Sequence, residues 1–130
     1  MQQLRGFHHI TLSVSDLRVS VPWYRDVLEL SRAAERSGPG WRRILLRADT
    51  GVVIGLTQHD ATSSGDRVDE RRVGLDHLSF ACPDLHTLES WRARLDELDV
   101  PHGGITTASY AHTLVCRDPD GIPIEFFVAT

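Results

Sequence analysis

The chain has 130 residues, of which 41% are apolar and 25% are charged, so it can form one compact domain with a core and wholesale disorder is excluded. Its net charge is −4 and its arginines are scattered, which argues against a nucleic acid or a membrane surface as the main partner. No apolar run reaches transmembrane length and no apolar signal stretch begins the chain, so we expect a soluble cytoplasmic protein.

The first predicted element is a strand over about residues 7–14, where apolar and polar side chains alternate. Successive side chains of a strand point to opposite faces. The more apolar face holds His8, Ile10, Leu12 and Val14, and the other face holds Phe7, His9, Thr11 and Ser13. We expect the more apolar face to pack on a helix, which leaves His9 on the side away from that helix.

A helix is predicted next, with Asp16 as its N-cap, because an Asp side chain accepts hydrogen bonds from free backbone N–H groups. Pro22 fits the first turns, where its missing N–H costs little. The inward face is predicted from the residues at helical spacing, Val19, Trp23, Val27 and Leu30. We expect Trp23 to anchor the helix on the sheet rather than to stack on a ligand.

Three short strands are predicted to complete this first module, over about residues 31–36, 41–48 and 52–58. The Ser-Gly-Pro-Gly sequence at 37–40 is a turn between the first two of them. The polar and aperiodic stretch 60–72 is predicted to link this module to the next, and it is a candidate for a mobile flap.

The second half of the chain repeats the first at an offset of 68 residues. The identical pairs are Gly6/Gly74, His9/His77, Asp16/Asp84, Leu17/Leu85, Trp23/Trp91, Glu29/Glu97 and Leu30/Leu98. The repeat predicts a second strand with His77 on its less apolar face, and strands over about 101–107, 111–117 and 122–129. It also predicts a helix whose inward face is Leu88, Trp91, Leu95 and Leu98.

The two cysteines, Cys82 and Cys116, are too few for a disulfide framework and do not form a C-x-x-C pair. We expect both to be reduced and buried thiols.

Histidines at the same point of a repeat can each give one metal ligand, so His9 and His77 are predicted to bind a metal. Glu125 is the lone carboxylate of an apolar strand, and either a metal or an arginine would satisfy it. At an offset of 70, Gly55 takes the equivalent place in the first copy. Two imidazoles and one carboxylate with open positions suit Fe(II) and related divalent ions, whereas a closed structural zinc site is not expected without thiolates.

The chain resembles the vicinal-oxygen-chelate superfamily, which includes glyoxalase I, bleomycin-resistance proteins, extradiol dioxygenases, fosfomycin-resistance enzymes and methylmalonyl-CoA epimerase. The resemblance covers essentially the whole chain and is carried by the sequences at 9–17, 23–28 and 118–125. It implies an α+β fold in which two tandem βαβββ modules form a half-open barrel around a metal site. It further implies a single domain over residues 1–130, with modules at about 5–59 and 73–130, and a homodimer.

The resemblance also implies metal ligands at His9, His77 and Glu125, with two departures from the pattern of individual families. Glyoxalase I and the epimerase take a fourth ligand, Glu or Gln, from the position held here by Gly55. Extradiol dioxygenases usually carry a tyrosine ten residues before the ligand Glu, as the fosfomycin enzymes commonly do, and that position is Val115 here. Both departures reduce the support for those particular activities.

Other polar residues are weaker candidates for the site. His112 and Tyr110 are predicted catalytic residues, His112 near a strand start in a proton-transfer or ligand-orienting role, with simple exposure as the alternative. His102 lies nearby. His59 shares the strand parity of Gly55 and could reach a substrate, although a solvated strand-end histidine is the simpler interpretation.

The leading hypothesis is a metal-dependent enzyme that acts on a small molecule with vicinal oxygens. One divalent ion is expected, with Fe(II) favoured and Mn, Ni, Co or Zn as alternatives. Iron would allow dioxygenase-like chemistry, and the other ions suit isomerase-like or lyase-like chemistry. The alternative is a protein that sequesters a drug or metabolite without catalysis, in which Trp41, Phe127 and the linker would line an aromatic pocket. A structural dimer with vestigial histidines is a third hypothesis.

Overall fold

The computed structural model describes residues 1–62 and 65–130; Ser63 and Ser64, both within the predicted linker, lie outside the described residues. The chain divides into two compact units, Met1–Asp66 and Arg67–Thr130. The first contains β1 (Ile10–Ser13), α1 (Leu17–Val27), β2 (Ser31–Gly38), β3 (Trp41–Arg47) and β4 (Val53–His59). The second contains β5 (Leu78–Ala81), α2 (Leu85–Glu97), β6 (Thr106–Thr107), β7 (Ala111–Arg117) and β8 (Pro123–Ala129).

Each unit is therefore a βαβββ module, which confirms the predicted α+β class and the tandem repeat. The sheet orders are β1-β4-β3-β2 and β5-β8-β7-β6, with the first strand of each module parallel to the last. A helical crossover is what allows two strands of one module to run parallel. Over the described residues, no helix combines the length and the apolar character needed to span a membrane.

In the first unit, α1 packs on β3 and β4. The sheet gives its apolar face to this core through Leu12, Val14, Ile44, Leu46, Ile54 and Leu56. Asp16 caps the helix, since its carboxylate accepts a hydrogen bond from the N–H of Arg18 at 2.9 Å. The predicted inward face is rotated, because Val19 is 53% exposed while Leu17, Ser20, Tyr24 and Val27 are buried. Tyr24, not Trp23, is the aromatic core residue of this helix.

In the second unit, α2 packs on β7 and β8. Asp84 caps the helix by accepting from the N–H of Thr87 at 2.7 Å. Trp91 stacks on Phe126 of β8 with 4.9 Å between the ring centroids, which confirms it as an anchor between helix and sheet. The predicted strand 101–107 forms only in part, as β6 and a single bridge from His102 to Cys116. Gly104 interrupts it with a φ of +75°, a left-handed conformation that ends extended pairing.

Part of the predicted linker is attached to the second unit. The N–H of Val68 donates to the carbonyl of Asp120 at 2.8 Å. Glu70 accepts from the guanidinium of Arg117 at 2.6 Å. Residues 67–72 are therefore tied to the turn between β7 and β8 rather than forming a free connection, and no flap is evident over this part.

Both cysteines are free thiols, as predicted, with Cys116 buried and Cys82 partly buried. Burial raises the pKa of the Cys116 thiol to about 12, so it stays protonated and unreactive at neutral pH.

Candidate metal centre

The second unit brings His77 and Glu125 together. His77 directly precedes β5, and Glu125 lies on the neighbouring strand β8, where it pairs with Ser79. Because residues paired in a parallel ladder share a face, the alternation along β5 puts His77 and Glu125 on one side of the sheet. His77 Nε2 lies 3.7 Å from Glu125 Oε1. These two donor atoms lie on the face opposite α2, and they are close enough for one small cation to contact both.

Asp76 fixes the orientation of His77. Asp76 Oδ1 lies 2.7 Å from His77 Nδ1, so in the neutral ring the proton sits on Nδ1 and Nε2 keeps its lone pair. The hydrogen bond to Asp76 raises the pKa of His77 and outweighs the lowering by burial, and the charges of Glu125 and Asp76 add to the rise. This carboxylate–imidazole arrangement is the one that metal-binding histidines use to present the opposite nitrogen.

Glu125 accepts a hydrogen bond from a hydroxyl group and lies beside the ring of His77, not beside an arginine. Ser79 Oγ donates to Glu125 Oε1 at 2.8 Å. The side chain of Glu125 is only 18% exposed, whereas that of His77 is 46% exposed. Among the described residues no arginine lies within ion-pair distance of Glu125, so the arginine alternative is not realised. A partly buried carboxylate without a permanent cation is chemically suited to bind one.

His9 occupies the corresponding place in the first unit, directly before β1. Its Nδ1 lies 2.8 Å from Nδ1 of His8, and one ring donates to the other. His8 thus stands where Asp76 stands in the second unit. If the proton of this bond sits on His9, its Nε2 is available as a ligand, in the same way as Nε2 of His77.

Gly55 takes the place of Glu125 in the first unit, as the repeat predicted. Thr11 pairs with Gly55 on β1 and β4, just as Ser79 pairs with Glu125 on β5 and β8. A Cβ atom at Gly55 would lie 2.9 Å from Thr11 Oγ1 and 3.2 Å from Leu45 Cδ2. At this position the first unit therefore has neither a carboxylate as a fourth ligand nor room for one without a shift of its neighbours.

The structure does not bring the predicted catalytic residues to Glu125. Glu125 pairs with Val115 on β7, and His112 has the opposite parity on that strand. His112 thus lies on the face that packs against α2, with its Nδ1 2.8 Å from Thr107 Oγ1. Tyr110 precedes β7 and is 69% exposed.

Sequence analysis missed Asp76 and Ser79. The available signal was their position, since Asp76 directly precedes the repeated histidine and Ser79 lies two residues after it.

Over the described residues, neither unit by itself holds three or more His, Cys, Asp or Glu side chains arranged for a metal. The second unit thus supplies two of the three predicted ligands, and the types of these donors, an imidazole and a carboxylate, fit a divalent transition metal.

The chain matches a protein-family model over most of its length. Residues 6–126 match the model described as glyoxalase/bleomycin resistance protein/dioxygenase superfamily. No curated protein matches the chain.

Solved structures with the same fold cover nearly the whole chain. A glyoxylase/bleomycin resistance protein/dioxygenase domain from Frankia sp. EAN1pec is 29% identical with a TM-score of 0.91, over 98% of this chain and 94% of that one. A lactoylglutathione lyase from Agrobacterium tumefaciens is 21% identical with a TM-score of 0.73, over 98% and 96%. The fosfomycin resistance protein FosX from Listeria monocytogenes, complexed with Mn(II) and 1S,2S-dihydroxypropylphosphonic acid, is 19% identical with a TM-score of 0.70, over 95% and 90%. At such identities the last two show a shared fold only.

Proposed function

Because the chain belongs to the glyoxalase/bleomycin resistance protein/dioxygenase superfamily, we propose that it is a metal-dependent enzyme that acts on a small molecule with vicinal oxygens. The proposed ligands are His9, His77 and Glu125. The observation that carries the proposal is the 3.7 Å approach of His77 Nε2 to Glu125 Oε1, with Asp76 holding the other nitrogen of the ring.

Fe(II) is the favoured ion, with Mn, Ni, Co or Zn as alternatives, because two imidazoles and one carboxylate suit any of them. When bound, such an ion supplies Lewis-acid stabilisation of a substrate oxyanion, and iron also supplies a place for dioxygen. Dioxygenase-like chemistry follows for iron, and lyase-like or isomerase-like chemistry for the other ions. The Mn(II) in the FosX structure supports a divalent ion on this fold.

The residues of the chain prepare this site in three ways. Asp76 keeps the proton of His77 on Nδ1, so that Nε2 is the donor. Ser79 donates to one oxygen of Glu125 and fixes the carboxylate. Gly55, closed in by Thr11 and Leu45, offers no fourth side chain, which leaves a position for an oxygen of the substrate.

The test is a metal titration of the chain purified under anaerobic conditions and stripped of metal. We expect one Fe(II) or Mn(II) to bind per chain, and Glu125→Gln to weaken that binding at least about tenfold, since outer-sphere changes alone cost this much. Glu97→Gln removes the same charge from an exposed position on α2 and should leave the affinity unchanged. Equal affinities of the two variants would remove Glu125 from the site.

Non-catalytic sequestration of a small molecule is the second candidate, and one observation favours it. The partly exposed Trp41 and the Arg43 guanidinium stacked on it lie on the sheet face opposite α1 in the first unit, and such a pair suits the binding of a planar ligand. Under this function, ligand affinity is independent of metal and of Glu125. An affinity that drops together with metal occupancy supports the enzyme instead.

A further inference from the structure

Arg43 is held in one orientation on β3 of the first unit. Its Nε donates to Thr57 Oγ1 of β4 at 2.7 Å, and Thr57 is only 2% exposed. Its guanidinium carbon lies 4.7 Å from the ring centroid of Trp41. A hydrogen bond on one side and a cation–π contact on another leave little rotational freedom to the guanidinium plane.

Trp41 is itself fixed by Gly38, its partner on β2. A Cβ atom at Gly38 would lie 2.6 Å from the indole Nε1, so the ring occupies the space that any other residue would fill. The residues Gly38, Trp41, Arg43 and Thr57, here named the Arg43 cluster, thus form a chain of contacts across three strands. Such contacts immobilise an arginine before any ligand arrives, which lowers the entropic cost of binding.

Among the strand residues described for the first sheet, the face that carries the Arg43 cluster has positively charged side chains and no carboxylate. Strand register places Arg36, Arg43, Arg47 and His59 on this face. The lone acidic residue of the four strands, Glu35, pairs with Ile44 and so lies on the opposite face, where Arg32 and Arg42 bind it. Within the described chain, Nη1 and Nη2 of Arg43 make no hydrogen bond or ion pair. A partly buried guanidinium with both outer nitrogens free is suited to bind an oxyanion in a bidentate manner.

We propose that the Arg43 cluster is an oxyanion site that binds the carboxylate or phosphate group of a small molecule. Thr57 lies two residues from Gly55 on β4, so the site is about 7 Å along the strand from the position that lacks the fourth ligand. The identification of this small molecule with the substrate rests on the proposed function. The substrate class is then a small anion whose charged group lies a few bonds from its vicinal oxygens.

The test is a titration of the metal-free chain with inorganic phosphate, and separately with acetate, at constant ionic strength set by chloride. The arginine Nε–Hε resonances are followed by NMR, with the Arg43 signal assigned from its loss in Arg43→Lys. We expect a saturable shift of the Arg43 signal with at least one of the two anions. The anion that binds more tightly identifies the charged group. No saturable shift with either anion would overturn the proposal.

A pair of variants separates this site from general charge attraction. Arg43→Gln should weaken anion binding at least about tenfold, since hydrogen bonds to charged groups carry that much affinity. Arg42→Gln removes the same charge one residue away on the opposite face and should weaken binding less than about twofold. Equal losses in both variants would contradict the site. Arg43→Lys, which keeps the charge and loses the planar fork, covers the case in which the glutamine variant does not fold.

The failure of this site and the failure of the metal centre give different results. Arg43→Gln should retain the metal affinity of the unmodified chain, and Glu125→Gln should retain its metal-free affinity for the anion. Anion binding without metal binding would leave the Arg43 cluster in place and overturn the metal centre. Metal binding without anion binding would leave the metal centre in place and overturn the Arg43 cluster as an anion site.

Discussion

At the scale of single residues, the site depends on which nitrogen of His77 carries a proton. Asp76 Oδ1, at 2.7 Å, favours the proton on Nδ1. We therefore expect Asp76→Ala to lower metal affinity by about 10–100-fold while the chain stays folded, because the ring loses the group that orients it. Calorimetric titration measures the affinity, with Glu97→Gln as the matched loss of an exposed carboxylate. An unchanged affinity would show that His77 does not need this partner.

Gly55 gives a second prediction at this scale. A Cβ at this position would come within 2.9 Å of Thr11 Oγ1, closer than such atoms normally approach. Gly55→Ala should lower the free energy of unfolding by about 1–3 kcal/mol through this overpacking. Urea denaturation measures the change. Gly103→Ala is the control, because a Cβ there would meet no atom within 4 Å, and its effect should be near zero or slightly stabilising. Equal stability of the two variants would contradict the crowding.

At the scale of elements, the repeat and the alternation of polar and apolar residues predicted both modules. The pairing of Thr11 with Gly55 and of Ser79 with Glu125 follows the alignment of the two copies. The inward face of α1 was predicted only in part. Val27 is buried as predicted, but Val19 is exposed and Leu17 is buried in its place. Both residues suit helical spacing, and only the packed sheet decides between them. Part of the strand predicted over 101–107 does not form, because Gly104 adopts a φ of +75° that the sequence pattern does not reveal.

The attachment of residues 67–72 through Glu70 predicts that the stability of the fold depends on pH. The hydrogen bonds from Arg117 lower the pKa of Glu70 to about 2. A carboxyl group with a lowered pKa stabilises the folded state above its unfolded pKa, near 4.5, and this contribution disappears as the pH falls through that value towards about 2. Glu70→Gln should therefore unfold at a lower urea concentration than the unmodified chain at pH 7, with the gap narrowing below about pH 4.5 and closing only as the pH approaches about 2. If the difference in stability between the variant and the unmodified chain did not change with pH, the charge of Glu70 would not be its cause.

At the scale of the whole molecule, the repeat in the sequence predicted that each module carries one histidine at the start of its first strand, and His9 and His77 lie there. The sequence could not show the Arg43 cluster, because Gly38, Trp41 and Thr57 are brought to Arg43 only by strand register. For the same reason it could not show the face of His112, which the pairing of Val115 with Glu125 places opposite Glu125. The proposed homodimer is a further property of the whole molecule, and sedimentation at several protein concentrations measures it.

The central claim is that His9 and His77, one from each module, hold the same ion. The most direct measurement is metal stoichiometry and affinity for His9→Gln, His77→Gln and the double variant, in the intact chain under anaerobic conditions. The claim predicts one ion per unmodified chain, a large loss of affinity in each single variant, and little further loss in the double variant, because both residues act on one site. A chain with His9→Gln that binds its ion as tightly as the unmodified chain would contradict it.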